Sequence, residues 1–129
     1  MLDRTIKFEN LKEMMEKTVE NFGERTAFYR DGKGLEDSKK ISYKEFMNDI
    51  NSLGTALVEM GLKGKRIAVI GENRYEWELA YLAIVCGAGV VVPLDKALPD
   101  NEIESLIIRS EVEAIFYSNK YDGCMAQIQ

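Results

Sequence analysis

The stretch that most constrains this chain runs over residues 66–94, RIAVIGENRYEWELAYLAIVCGAGVVVPL. Ile67-Ala68-Val69-Ile70 is a short unbroken apolar run, the mark of a strand covered on both faces. Gly71-Glu72-Asn73 turns the chain, and Asn73 reads as the N-cap of a helix from Arg74 or Tyr75 to Cys86. That helix carries apolar side chains nearly all round, so it needs burial on more than one side. Gly87-Ala88-Gly89 leads into the strand Val90-Val91-Val92, closed by Pro93. Buried strand, helix, buried strand is a βαβ crossover with parallel strands, and the rest of the chain reads as its packing.

The Gly-x-Gly of this stretch does not make a dinucleotide site. It follows a helix and precedes a strand, whereas the dinucleotide fingerprint requires the reverse order and a third glycine.

Upstream, Asn10 to about Asn21 reads as an amphipathic helix, with Leu11, Met14, Met15, Val19 and Phe22 as a core-facing stripe and Gly23 as its stop. Thr26 to Arg30 and Lys39 to Ser42 read as two strands of a β-hairpin joined by the turn-rich DGKGLEDSK. The glycines around Lys33 have no helix N-terminus close behind them, so this loop is a turn and not a phosphate cradle. Ser42-Tyr43-Lys44-Glu45 is a capping box. The helix that it opens places Tyr43, Phe46, Met47, Ile50, Leu53, Leu57 and Met60 on one face, with Gly54 near that side for a close backbone approach. Gly61 is a left-handed stop.

Downstream, Asp95 to Leu98 is a loop, and Pro99 opens a helix through about Arg109 with Ile103, Leu106 and Ile107 on its buried face. Ala114-Ile115-Phe116-Tyr117 is a third buried strand. Beyond it YDGCMAQIQ begins another amphipathic pattern and stops without a cap. The fold class is α/β: three mainly parallel strands with right-handed helical crossovers, plus an N-terminal β-hairpin. The all-apolar helix and the uncapped end predict surface that this chain cannot cover, and hence self-association through apolar helix and unpaired strand edge.

Composition removes several functions. Over 129 residues there is no histidine, which excludes Ser-His and Cys-His nucleophile pairs and imidazole zinc sites. The two cysteines lack metal-type spacing; Cys86 reads as a buried helical thiol and Cys124 as an exposed one near the end. A net charge of −5, spread along the chain, argues against nucleic acid as a partner. No apolar run is long enough for a transmembrane segment, and MLDRTIKFENLKEMMEK has no signal-peptide core, so a cytoplasmic location is expected.

Four features occur in order. They are Ile41–Glu45 (hydrophobic-[ST]-Tyr-x-[DE]), Gly61–Ala68 (Gly-x-Lys-Gly-[DK]-Arg-[IV]-[AG]), Asn73-x-x-Glu76-Trp77, and Gly87-Ala88-Gly89-x-x-x-Pro93-Leu94. Together, over about Asn10 to Ser118, the chain resembles the N-terminal part of the AMP-forming acyl-CoA synthetases of the adenylate-forming superfamily. ENRYEW and GAGVVVPLD resemble the long-chain fatty acid branch. The resemblance implies part of a large N-terminal domain, residues 1–129 being one incomplete segment of it. In such enzymes ATP, Mg2+ and a fatty acid or other carboxylate give an acyl-adenylate, and coenzyme A then takes the acyl group. The family's phosphate loop, ribose-binding aspartate and catalytic lysine do not occur here. No catalytic or metal residue carries over, none of these cofactors is expected to bind tightly to the chain, and it is expected to be inactive alone. One carry-over remains. The loop after the second parallel strand, Asp95 to Leu98, would lie near the coenzyme A tunnel, with Asp95 and Lys96 as cofactor-binding candidates and Lys96 meeting a phosphate. Without the resemblance the same loop reads as a solvated connector. The alternative for the whole chain is a stand-alone α/β binding or interaction module without catalysis.

Overall fold

The computed structural model describes residues 5–30, 32, 34 and 37–128. Lys33, in the loop read above as a plain turn, lies outside them. The elements run α1 (Leu11–Phe22), β1 (Thr26–Arg30), β2 (Lys39–Ser42), α2 (Tyr43–Glu59), β3 (Arg66–Ile70), α3 (Tyr75–Ala83), β4 (Val90–Pro93), α4 (Asp100–Ser110), β5 (Ala114–Tyr117) and a short α5 (Asp122–Met125). β1 and β2 pair antiparallel. β3, β4 and β5 form a parallel sheet in the order β4-β3-β5, with β3 central.

Alternation along β3 sets the two faces. Ile67 and Val69 pack with Leu57, Ala80, Ile84 and Ala88 on the α2–α3 side. Ala68 and Ile70 pack with Leu94, Ile103, Ile107, Tyr121 and Cys124 on the α4–α5 side. Every residue from Ile67 to Ile70 is at most 2% exposed, as a strand covered on both faces requires. A third cluster joins the N-terminal elements to the outer side of α3: Phe28, Phe46 and Tyr75 meet with ring centroids 4.8 to 5.5 Å apart. Tyr75 also donates to Asp49 Oδ2 at 2.5 Å, and Arg30 pairs with Glu76, so the hairpin and α2 are both tied to the start of α3.

These contacts answer the question that the apolar α3 raised. Its inner side faces the sheet, and its outer side is covered by α1, α2 and the hairpin through Tyr75, Leu79 and Leu82. The chain itself supplies most of the cover. The chain's end differs from expectation for the same reason. A 3-10 turn (Asn119–Tyr121) and α5 fold back onto the sheet, burying Tyr121 and Cys124.

Local expectations held where a side chain bonds the backbone. The Asn10 carboxamide also caps α1, accepting from the Glu13 amide at 2.8 Å, a cap that the sequence reading did not assign. The capping box of α2 is complete: the Glu45 amide donates to Ser42 Oγ at 3.1 Å and the Ser42 amide to Glu45 Oε2 at 2.8 Å. Gly61 turns at φ +81°, in the left-handed region. Gly54 is approached by the Ala83 carbonyl, which a Cβ there would meet at 3.5 Å.

Other expectations need correction. α3 stops at Ala83, and residues Ile84–Ala88 form a π turn in which the Gly89 amide bonds the Ile84 carbonyl at 2.9 Å. The widened turn brings Gly89 against the backbone of Lys65, where a Cβ would lie 2.4 Å from the carbonyl oxygen; a side chain does not fit. Asn73 is not the N-cap of α3; Arg74 occupies that position and gives no side-chain cap. Pro99 is the N-cap of α4 rather than its first residue. Met60 is 72% exposed because it lies past the last turn of α2, and Phe22 turns outward beneath the Arg25 guanidinium. The cysteines exchange roles. Cys124 is buried by the returning α5, while Cys86 is half-buried in a shallow groove between α2 and the π turn. Burial pushes both thiols above their ordinary pKa, against nucleophilic use.

Candidate functional site at the carboxyl edge of the sheet

A parallel sheet presents its strand carboxyl ends, and the loops that leave them, along one edge. Here three loops meet: Gly71–Arg74 after β3, Asp95–Leu98 after β4, and Ser118 onward after β5. The loop after β3 enters α3 on one face, whereas the turn after β5 carries Tyr121 to the other. This divergence opens a crevice at the ends of β3 and β5, on the α3 side. Its volume is about 240 Å³. Val69, Ala80, Trp77 and Phe116 make apolar walls, and Glu72, Arg74, Glu76 and Ser118 add polar and charged lining. Trp77 stacks on Tyr81 with ring centroids 5.3 Å apart.

Glu72 Oε2 and Ser118 Oγ are both shut off from solvent, and neither makes a hydrogen bond of normal geometry to another described group. The hydroxyl is still near enough to hold the Glu72 carboxyl below its ordinary pKa. The residue's own amide acts the same way, burial opposes them, and Lys120 and Arg74 add weaker attraction. Glu72 is therefore ionised at neutral pH, an acceptor with spare capacity inside an apolar crevice.

The residues singled out by the resemblance lie on the same edge, one loop away. Asp95 is exposed, and its Oδ1 accepts from the Ala97 amide at 2.8 Å, which closes an Asx turn. Lys96 is exposed, with Nζ 3.5 Å from the Asn73 side-chain oxygen, at the outer limit of a hydrogen bond. The Tyr121 hydroxyl donates to the Lys96 carbonyl at 3.0 Å and fixes the loop beneath that side chain. Asn73 thus lies beside Lys96 instead of capping α3. Glu72 and Ser118 were not recognisable from sequence, because a turn glutamate and a serine 46 positions later carry no spacing signal; only the sheet order brings them together. Among the described residues no group of three or more His, Cys, Asp or Glu could hold a metal ion.

The pattern of the AMP-binding enzyme family matches residues 15–128. The chain belongs to that family. Among curated relatives, fatty acyl-CoA synthetase A of Dictyostelium discoideum is 40% identical over 85 residues, covering 65% of this chain and 13% of the relative. The acyl-CoA ligase YtcI of Bacillus subtilis is 35% identical over 121 residues, covering 92% of this chain and 22% of the relative. Among solved structures, the N-terminal domain of FACL13 from Mycobacterium tuberculosis superimposes with a TM-score of 0.81 at 16% identity, over 93% of this chain and 29% of that one. The last likeness concerns the fold. The chain thus has the fold of part of the N-terminal domain of adenylate-forming enzymes, and the matches span 13% and 22% of those two curated relatives. No described helix is long and apolar enough to cross a membrane.

Proposed function

We propose that this chain is the N-terminal portion of an ATP-dependent, AMP-forming fatty acid-CoA ligase, one that activates a carboxylate as its acyl-adenylate and passes it to coenzyme A. The family match over residues 15–128, with acyl-CoA ligases among the relatives, carries this reading. The chain's contribution is scaffold. Its sheet and α3 hold the carboxyl edge on which Lys96 stands, and the phosphate-binding and catalytic groups come from the rest of such an enzyme. ATP, Mg2+ and coenzyme A belong to that whole enzyme, in a cytoplasmic setting. The chain alone does not catalyse, and it self-associates where apolar surface is left open. ATP–pyrophosphate exchange by the 129-residue chain is expected to be absent, and measurable exchange would overturn the scaffold reading.

Within this reading Asp95 shapes the loop and Lys96 meets a phosphate of coenzyme A. The test uses a hybrid in which this chain replaces the matching segment of the Dictyostelium synthetase. A charge-assisted hydrogen bond is worth roughly 1.5 kcal/mol or more, so Lys96→Ala should raise the KM for coenzyme A about tenfold and leave ATP–pyrophosphate exchange unchanged. An unchanged KM would return the loop to a solvated connector.

A further inference from the structure

The loop that follows β4 is fastened in two ways. Asp95 Oδ1 accepts from the Ala97 amide at 2.8 Å and the Asp95 carbonyl from the Leu98 amide at 3.3 Å, so the turn closes on itself. A third bond comes from elsewhere in the fold: the Tyr121 hydroxyl donates to the Lys96 carbonyl at 3.0 Å, from 25 positions away in the chain. The ring behind that hydroxyl is 6% exposed and belongs to the cluster of Ala68, Ile70, Leu94 and Ile103. The turn that carries it follows directly on β5 and is closed by the Tyr121 amide on the Ser118 carbonyl at 2.9 Å. A tyrosine has two side-chain torsions, and packing of this kind fixes both, so the hydroxyl stands at a set place. Burial pushes its pKa above the ordinary value, and the proton that it donates is present at neutral pH.

The Lys96 ammonium is held far less firmly. Its Nζ lies 3.5 Å from the Asn73 side-chain oxygen, at the outer limit of a hydrogen bond. An ammonium on a flexible four-carbon stem carries much rotamer freedom, and one contact of that length does not hold it. The direction of the side chain is therefore set where its main chain is set, at the carbonyl that Tyr121 binds.

We propose that Tyr121 is a positioning residue for coenzyme A: by gripping the Lys96 carbonyl, its hydroxyl keeps the Lys96 ammonium where a phosphate of coenzyme A meets it. This rests on the reading of Lys96 in Proposed function, and adds to it a residue from beyond a different strand. Tyr121 acts through the loop and touches no reacting atom. Its loss acts on the affinity for coenzyme A and leaves adenylation alone.

The experiment uses the hybrid synthetase of Proposed function and compares Tyr121→Phe, Lys96→Ala and the double variant. Tyr121→Phe removes one oxygen and keeps the packed ring. It should raise the KM for coenzyme A about threefold, with kcat at saturating coenzyme A and ATP–pyrophosphate exchange unchanged. In the Lys96→Ala background the same substitution should add nothing, since the ammonium that it positions is gone. A tyrosine that only stabilised the fold would act alike in both backgrounds. An equal rise in both, or no rise where Lys96→Ala gives one, overturns the proposal and leaves the Lys96 reading standing. An unchanged KM in Lys96→Ala itself sinks that reading, and this proposal with it. Amide exchange on the 129-residue chain gives a second measure, which decides if the hybrid variant does not fold. Tyr121→Phe should speed exchange of the Ala97 and Leu98 amides about fivefold and leave those of Ile67–Ile70 unchanged. Unaltered exchange at Ala97 and Leu98 would show that the loop is held without the tyrosine, which also overturns the proposal.

Discussion

Two helices of this chain are built on opposite plans. α2 is 17 residues long, opens with a complete capping box and keeps Phe46, Met47, Ile50 and Leu57 on one buried stripe. α3 has nine α-helical residues and no side-chain cap, runs into a π turn, and is wanted on both sides, by the sheet within and by α1, α2 and the hairpin without. The first carries its own instructions; the second is held by everything around it. A local device explains α2, whereas only the whole packing explains α3, and substitutions should separate the two.

The largest effect belongs on the α3 side. Ile84 is fully buried at the start of the π turn, among Ile67, Val69 and Leu57. Ile84→Ala should cost about 2–5 kcal/mol in denaturant unfolding, because a cavity against the sheet cannot collapse. A loss below about 1 kcal/mol would mean that the π turn is loosely packed and that the contrast with α2 is overdrawn.

The capping box should weigh less. Ser42→Ala should cost about 1 kcal/mol. The Ser42 amide and then its hydroxyl hold the Glu45 carboxyl below its ordinary pKa. The folded value is the lower one, so this contribution is present above the ordinary glutamate value of about 4.3 and is lost as pH falls through the folded value. The stability difference between the native chain and Glu45→Gln should therefore shrink as pH is lowered through that window. A difference independent of pH would show that the box does not act through the carboxylate.

The smallest effect should carry the opposite sign. At Gly54 a Cβ would meet the Ala83 carbonyl at 3.5 Å, an ordinary contact, and the site lies inside α2. Gly54→Ala should therefore stabilise by about 0.5–1 kcal/mol through the unfolded chain's lost freedom. Destabilisation would show that α2 and the end of α3 already touch too closely for one methyl.

The same contrast explains how much was legible in the sequence. Ser42 with Glu45, the run Ile67–Ile70 and the glycine at 61 each act within a few residues, so periodicity and capping rules reach them. The α/β class, the parallel strands and the hairpin follow from such signals. Three features escaped. The π turn depends on how α3 meets Lys65 and Gly89 across the fold, and nothing in LAIVCGAG distinguishes it from a helix ending. Cys124 and Tyr121 are buried because α5 returns over the sheet, which a weak amphipathic pattern did not foretell. At the site, Asp95 and Lys96 were reached by resemblance alone, and their loop does lie on the carboxyl edge. Glu72 and Ser118 could be joined only once β5 was known to lie beside β3.

The central claim is that this segment is working scaffold for adenylate chemistry performed by groups elsewhere in the enzyme. The most direct measurement is ATP–pyrophosphate exchange, with a fatty acid present, by the Dictyostelium synthetase carrying this chain in place of its own segment. Fatty-acid-dependent exchange by the hybrid, absent from either part alone, is the predicted result. A hybrid that folds cooperatively and binds ATP yet gives no exchange would contradict it.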